Sequence, residues 1–92
     1  MKKIKITKDA SKAWSCLDAK QYKQIGTTIM DLLQDPMPHD SQQLKGALNG
    51  ERRVDMGEYR IIYAIVDDVI EILVIGKRNG DEVYKKWGRK SK

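Results

Sequence analysis

Cysteine is nearly missing from this 92-residue chain: Cys16 is the only one. No internal disulfide can form, which fits a reducing compartment. Cys16 has no spaced partner and His39 is the only histidine, so neither a Cys/His metal cluster nor a cysteine–histidine catalytic pair can be assembled. Cys16 reads instead as a small apolar helix residue. No metal and no other cofactor is expected. No apolar run approaches the ~20 residues that a membrane-spanning helix needs. Lys2, Lys3 and Lys5 have no apolar segment behind them, so no signal peptide is expected either. Gly76-Lys77-Arg78-Asn79-Gly80 lacks the Gly-Lys-Ser/Thr ending and the long following helix of a phosphate-binding P-loop. Internal repeats, low-complexity segments and linkers are absent. These absences predict a soluble, cytoplasmic protein.

What the chain does have is positive charge. Lys and Arg outnumber Asp and Glu by 18 to 13, for a net charge of +5 and a pI of about 9.4. Phosphates attract such a surface and release counterions on binding, so nucleic acid is a better candidate partner than a membrane. An acidic protein partner fits the same charge. The length allows one compact domain, residues 1–92, that buries roughly two-thirds of its unfolded surface. In so thin a core, periodic apolar residues are needed first for folding.

Lys3 to Thr7 alternates basic and β-branched residues, the period of a strand with one buried face. The Thr7 hydroxyl can cap a helix carrying Ala10, Ala13, Trp14 and Leu17 at helical spacing. A second helix from about Ala19 to Leu33 carries Tyr22, Ile25, Ile29, Leu32 and Leu33 on one side, and the pair breaks near Asp18. Pro36 and Pro38 end it. The polar stretch to Gly50 reads mostly as loop. Arg52–Met56, Tyr59–Val66 and Val69–Ile75 read as strands joined by tight turns at Gly57-Glu58 and Asp67-Asp68, making an antiparallel meander. The last of these strands is nearly continuous apolar, as expected for a central strand covered on both faces. A loop from Gly80, a short helix near Asp81 to Trp87 and a basic tail complete the chain. The fold class is therefore α+β: a single small β-α-α-β-β-β domain with a short C-terminal helix, its meander packed on a helical hairpin.

Asp67 and Asp68 read as turn residues rather than a catalytic pair. The residues that point to chemistry are Arg, Lys and Tyr in the second half. Arg53 and Arg60 lie on neighbouring strands, Arg78 follows the last strand, and Tyr84 lies beyond it. Period two puts Arg60 with Ile62, Ala64 and Val66 on one face, and Tyr59, Ile61, Tyr63 and Ile65 on the other. Both faces are largely apolar, so Arg60 needs a partner, because an unpaired buried charge is expensive. Two readings stay open: an ion pair with Asp55 or Glu71, or a guanidinium held for a phosphate, which its planar donor fork suits. Lys85, Lys86, Arg89, Lys90 and Lys92 form a solvated tail, but interleaving with Tyr84 and Trp87 also suits RNA, whose bases stack on aromatic rings.

Taken in order, Leu44-Lys45-Gly46, Arg53-Val54-Asp55, Glu58-Tyr59-Arg60-Ile61-Ile62-Tyr63, Gly76-Lys77-Arg78 and Glu82-Val83-Tyr84 resemble the RelE/ParE toxin superfamily, and its RelE branch most. The resemblance covers essentially the whole chain and implies the RelE-like fold. It also implies a ribosome-dependent, metal-independent endoribonuclease that cuts mRNA in the A site by attack of the RNA's own 2′-hydroxyl and so inhibits translation. Arg60, Arg78 and Tyr84 match the family's catalytic pattern. Arg52, Arg53, Lys45, Lys77, Lys85 and Lys86 are the expected RNA contacts. Guanidinium stays protonated, so Arg60 and Arg78 would stabilise phosphate charge while Tyr84 serves as base or stacks on a nucleobase. A free phenol has a pKa near 10, so this role calls for cations such as Lys77, Arg78 or Lys85 nearby.

This chain departs from the pattern in two places. Asp55 stands where a second basic residue often alternates with the first, and no histidine lies near the C-terminus. The same fold also serves ParE-type toxins that poison DNA gyrase, and a decayed toxin acting as corepressor or binding module is a further alternative. Each reading implies a cognate antitoxin, acidic and partly disordered, expected from an adjacent gene; the nuclease reading adds the ribosome and mRNA.

Overall fold

The computed structural model describes residues 3–44, 50–79, 83, 84 and 87. Strand β1 (Lys3–Ile6) leads into helix α1 (Lys8–Ser15) and helix α2 (Ala19–Gln34). Strands β2 (Gln42–Gln43), β3 (Arg52–Met56), β4 (Tyr59–Val66) and β5 (Val69–Lys77) follow. They form one sheet in the order β1-β5-β4-β3-β2. The meander is antiparallel, as its two-residue turns require, whereas β1 runs parallel to β5. A parallel pair needs a crossover, and the two helices supply part of it.

Both helices start on side-chain caps. The Ala10 amide donates to Thr7 Oγ1 at 3.1 Å, and the Gln21 amide donates to Asp18 Oδ1 at 2.9 Å. Asp18 thus starts the second helix, two residues after Cys16 caps the end of the first. Trp14 joins the two: its ring stacks on Tyr22 with centroids 4.8 Å apart, and its Nε1 donates to the Tyr22 carbonyl at 3.0 Å. Gly26 leaves room for this ring, since a Cβ there would stand 3.3 Å from Trp14 Cζ2.

The helices cover one sheet face. Ala10, Ile25, Ile29 and Leu32 pack on Val54, Ile61, Tyr63, Ile70, Ile72 and Ile75 in the main core. Each fully buried Val, Leu or Ile side chain among them contributes roughly 1.5–3 kcal/mol. Tyr63 is completely buried, and its hydroxyl donates to the Pro36 carbonyl at 2.7 Å, which fixes the chain just after α2. The opposite face has a smaller core of Leu44, Ile62, Val74 and Val83, flanked by Leu73, Tyr84 and Trp87. Residues 83, 84 and 87 are helical, in line with the expected C-terminal helix.

Three details differ from the sequence reading. The stretch before Gly50 contains β2, too short to show a period. Strand β5 continues to Lys77, two residues beyond Ile75. The register also slips: Ile62 faces Val74 but Tyr63 faces Ile72, so Leu73 is the extra residue of a β-bulge. Ile72 and Ile75 then serve the helix side while Leu73 and Val74 serve the other. Thr7 holds this spot, with its amide donating to the Ile72 carbonyl and its hydroxyl to the Leu73 carbonyl.

Candidate functional site

The two-residue turn at Gly57-Glu58 sets the site's geometry. Gly57 has φ of +61°, a conformation at the first turn position that glycine adopts without strain. A two-residue loop pairs Met56 with Tyr59 and therefore Asp55 with Arg60. On β5, Arg60 is opposite Gly76. Arg53, Asp55 and Arg60 thus share the face that the helices leave uncovered. The backbone amide of Arg78 donates to the Glu58 carbonyl at 3.0 Å, bringing a third arginine to the same end.

Asp55 is the hub. Arg60 grips it with two donors, Nε to Oδ1 at 2.6 Å and Nη2 to Oδ2 at 3.1 Å. Arg53 Nη1 lies 3.6 Å and Arg78 Nη1 3.5 Å from Oδ2. Arg60 uses its remaining arm on Tyr84: Nη1 donates to the phenol oxygen at 2.7 Å, and its Cζ lies 5.3 Å from the ring centre. Tyr84 is held there because its neighbour Val83 is fully buried in the smaller core. Arg53 is steadied from the other side, donating through Nη2 to Gln42 Oε1 at 2.6 Å.

The Arg60 hydrogen bond, aided by the charges of Arg60, Arg53 and Arg78, holds the Asp55 carboxyl below its ordinary 3.8 despite partial burial. The same hydrogen bond raises the Arg60 guanidinium above its usual value. Three cations around one anion leave net positive charge. The arginine side chains differ in access: Arg60 is 14% exposed and Arg78 53%. Arg60 is built in, and Arg78 faces solvent.

Of the residues singled out in the sequence, Arg53, Arg60, Arg78 and Tyr84 come together. The ion pair weighed for Arg60 forms with Asp55, and the same guanidinium also meets Tyr84. Arg52 points to the other face, where Nε and Nη2 donate to Ser41 Oγ at 3.2 and 2.9 Å. Lys77 is opposite Tyr59, whose ring packs on the helix side, so the strand carries it away from Tyr84. Lys45, Lys85 and Lys86 lie outside the described residues. Gln42 was not anticipated; it sits in a polar stretch with no period to mark it. Among the described residues no group of His, Cys, Asp and Glu is arranged to hold a metal ion, and no helix is long and apolar enough to cross a membrane.

Comparison with known proteins follows the same lines. Residues 4–82 match the family model for the ParE toxin of type II toxin–antitoxin systems, parDE. No curated protein matches by sequence. Among solved structures, the chain resembles the toxin fold in the archaeal RelE–RelB complex from Pyrococcus horikoshii OT3, with 29% identity and a TM-score of 0.76, covering 86% of this chain and 97% of that one. The isolated E. coli RelE toxin has 20% identity, a TM-score of 0.75 and full coverage of both chains. The RelBE2 toxin–antitoxin complex from Mycobacterium tuberculosis has 22% identity and a TM-score of 0.72, covering 84% and 98%. At these last two identities the likeness is one of fold.

Proposed function

Since the chain belongs to the RelE/ParE superfamily of type II toxin–antitoxin toxins, we propose that it is a toxin of the mRNA-cleaving kind, acting on the ribosome in the cytoplasm. The observation that carries this reading is the 2.7 Å contact between Arg60 and Tyr84, made beside Arg53 and Arg78. Two arginines and a phenol at one spot suit a phosphodiester, where charge develops on non-bridging oxygens and a proton must leave the attacking group. Tyr84, acting as its phenolate, takes the proton of the RNA 2′-hydroxyl; the 2′-oxygen bonds to phosphorus; the bond to the 5′-oxygen breaks and that oxygen takes a proton from water. The products are a 2′,3′-cyclic phosphate and a free 5′-hydroxyl. Arg60 and Arg78 hold the charge on the pentacoordinate phosphorus, and Arg53 contacts a neighbouring phosphate. Arg60, fixed by Asp55, costs little reorganisation at the moment of reaction.

A cognate antitoxin completes the system. Structural relatives in RelE–RelB and RelBE complexes support such a partner. An acidic, partly disordered segment that folds on the arginine cluster would neutralise it and displace Tyr84.

The match to the parDE toxin model favours one second reading, a toxin aimed at DNA gyrase. Adding the purified chain to a translating extract and mapping RNA ends separates the two. Cuts in ribosome-bound mRNA ending in 2′,3′-cyclic phosphate are expected. Intact mRNA together with gyrase-dependent DNA breaks would overturn the nuclease reading.

A further inference from the structure

We propose that Asp55 is an internal competitor for the nucleic-acid phosphates: adjacent phosphates of the strand bind by taking Arg53 and Arg78 from Asp55, while Arg60 keeps its bonds to Asp55. The inference rests on the cluster's being a phosphate site and holds whether or not the phosphate is then cut.

The distances divide the three arginines into two kinds. Arg60 makes true hydrogen bonds to Asp55 at 2.6 and 3.1 Å. Arg53 and Arg78 approach only Oδ2, at 3.6 and 3.5 Å, beyond hydrogen-bond length. Charge alone links these two to Asp55, and among the described residues most of their donors stay uncommitted. Arg53 has a second anchor in Gln42, so its guanidinium can exchange partners without losing its place. Arg78 is tied through its backbone to Glu58 while its side chain is more than half exposed. A phosphate oxygen presents guanidinium with the charge and geometry of a carboxylate oxygen, so both anions want the same donors. Asp55 also repels an incoming phosphate directly. Asp55 therefore sets the affinity of the site, keeping it low, while positioning Arg60.

The substitution Asp55→Asn separates these two effects, because the amide oxygen still accepts from Arg60 Nε while the charge is gone. The probe is a fluorescein-labelled hexanucleotide RNA with 2′-O-methyl riboses, which lacks the attacking hydroxyl and cannot be cleaved. By anisotropy, Asp55→Asn is expected to bind it about three- to tenfold more tightly than the unaltered chain, with steeper salt dependence. Equal or weaker binding by a folded variant overturns the competitor role and leaves the phosphate site standing. No binding by either protein at low salt overturns the phosphate site itself. The unaltered chain supplies a reading that needs no variant. On titration with the same RNA, the 13C signal of the Asp55 carboxyl must move together with the Arg53 and Arg78 Nε signals, with Arg60 Nε moving least. An unmoved carboxyl at saturation overturns the proposal.

Discussion

Arg60 divides its guanidinium between two residues on different elements: Nε and Nη2 go to Asp55 across the β3–β4 hairpin, and Nη1 goes to Tyr84, 24 residues along the chain. Lysine's ammonium has three donors but no planar fork, so it cannot reproduce the paired bonds to Asp55 together with the bond to Tyr84. Arg60→Lys is expected to lose about 1–2 kcal/mol of stability in urea unfolding, since Asp55 and Tyr84 give up charge-assisted hydrogen bonds in a partly buried place. Cleavage should fall by more than the loss of folded protein explains. A variant as stable and as active as the parent would show that the fork is dispensable.

Tyr84→Phe keeps the ring over Arg60 and removes only the hydroxyl. If Tyr84 takes the 2′ proton, the cleavage rate on ribosomes drops by about 100-fold or more. Ribosome binding should change little, because Val83 still anchors the segment in the smaller core. Single-turnover cleavage and ribosome co-sedimentation read the two quantities separately. Full cleavage by this variant removes Tyr84 from the chemistry.

Much of this was legible because hairpins obey arithmetic. Once Gly57-Glu58 is a two-residue turn, Asp55 must face Arg60, and period two puts Arg53 on the same side. Thr7 was legible as a helix start for a similar local reason, its hydroxyl accepting from an amide three residues on. Asp18 was legible only as a break, and its capping bond to the Gln21 amide came from the structure. The parallel pairing of β1 with β5 has no such local signal, since it depends on where the helices deliver the chain. The bulge at Leu73 was hidden because β5 is apolar on both faces, and a slip in alternation cannot be seen in a run that does not alternate. Arg52 and Arg53 look equivalent in sequence, yet the pleat sends one to Ser41 and the other to Asp55. The choice of Asp55 over Glu71 follows from register, whereas the approach of Tyr84 needed the buried Val83 to carry it back onto the sheet.

The turn that creates this register should be sensitive to a single methyl group. Gly57 has φ of +61°, where any Cβ is strained although nothing lies within 4 Å of one. Gly57→Ala is therefore expected to cost about 1 kcal/mol from backbone conformation alone. The contrasting site is Asp67, at φ of +55° in the next turn, where glycine would relieve strain. Asp67→Gly should be neutral or slightly stabilising, because released strain is offset by the extra freedom of the unfolded chain. Urea unfolding of both variants checks the pair, and a Gly57→Ala chain as stable as the parent would contradict the turn geometry.

Asp55 should also leave a mark on stability as pH falls. Its carboxyl titrates lower in the folded protein than its ordinary 3.8, chiefly because Arg60 donates to it. A depressed folded pKa means that the unfolded chain takes up the proton first. The stabilisation is fully present above the unfolded value and is lost as pH falls through the folded one. Asp55→Asn carries no such group, so its stability should lie below that of the parent near neutral pH and draw closer as pH falls below 3.8. Other carboxylates titrate alike in both proteins and cancel in the difference. Urea unfolding from pH 6 down to about pH 2.5 measures this gap across the range where the carboxylate protonates. A gap that stays constant throughout would mean that Asp55 draws no net stability from its ring of arginines.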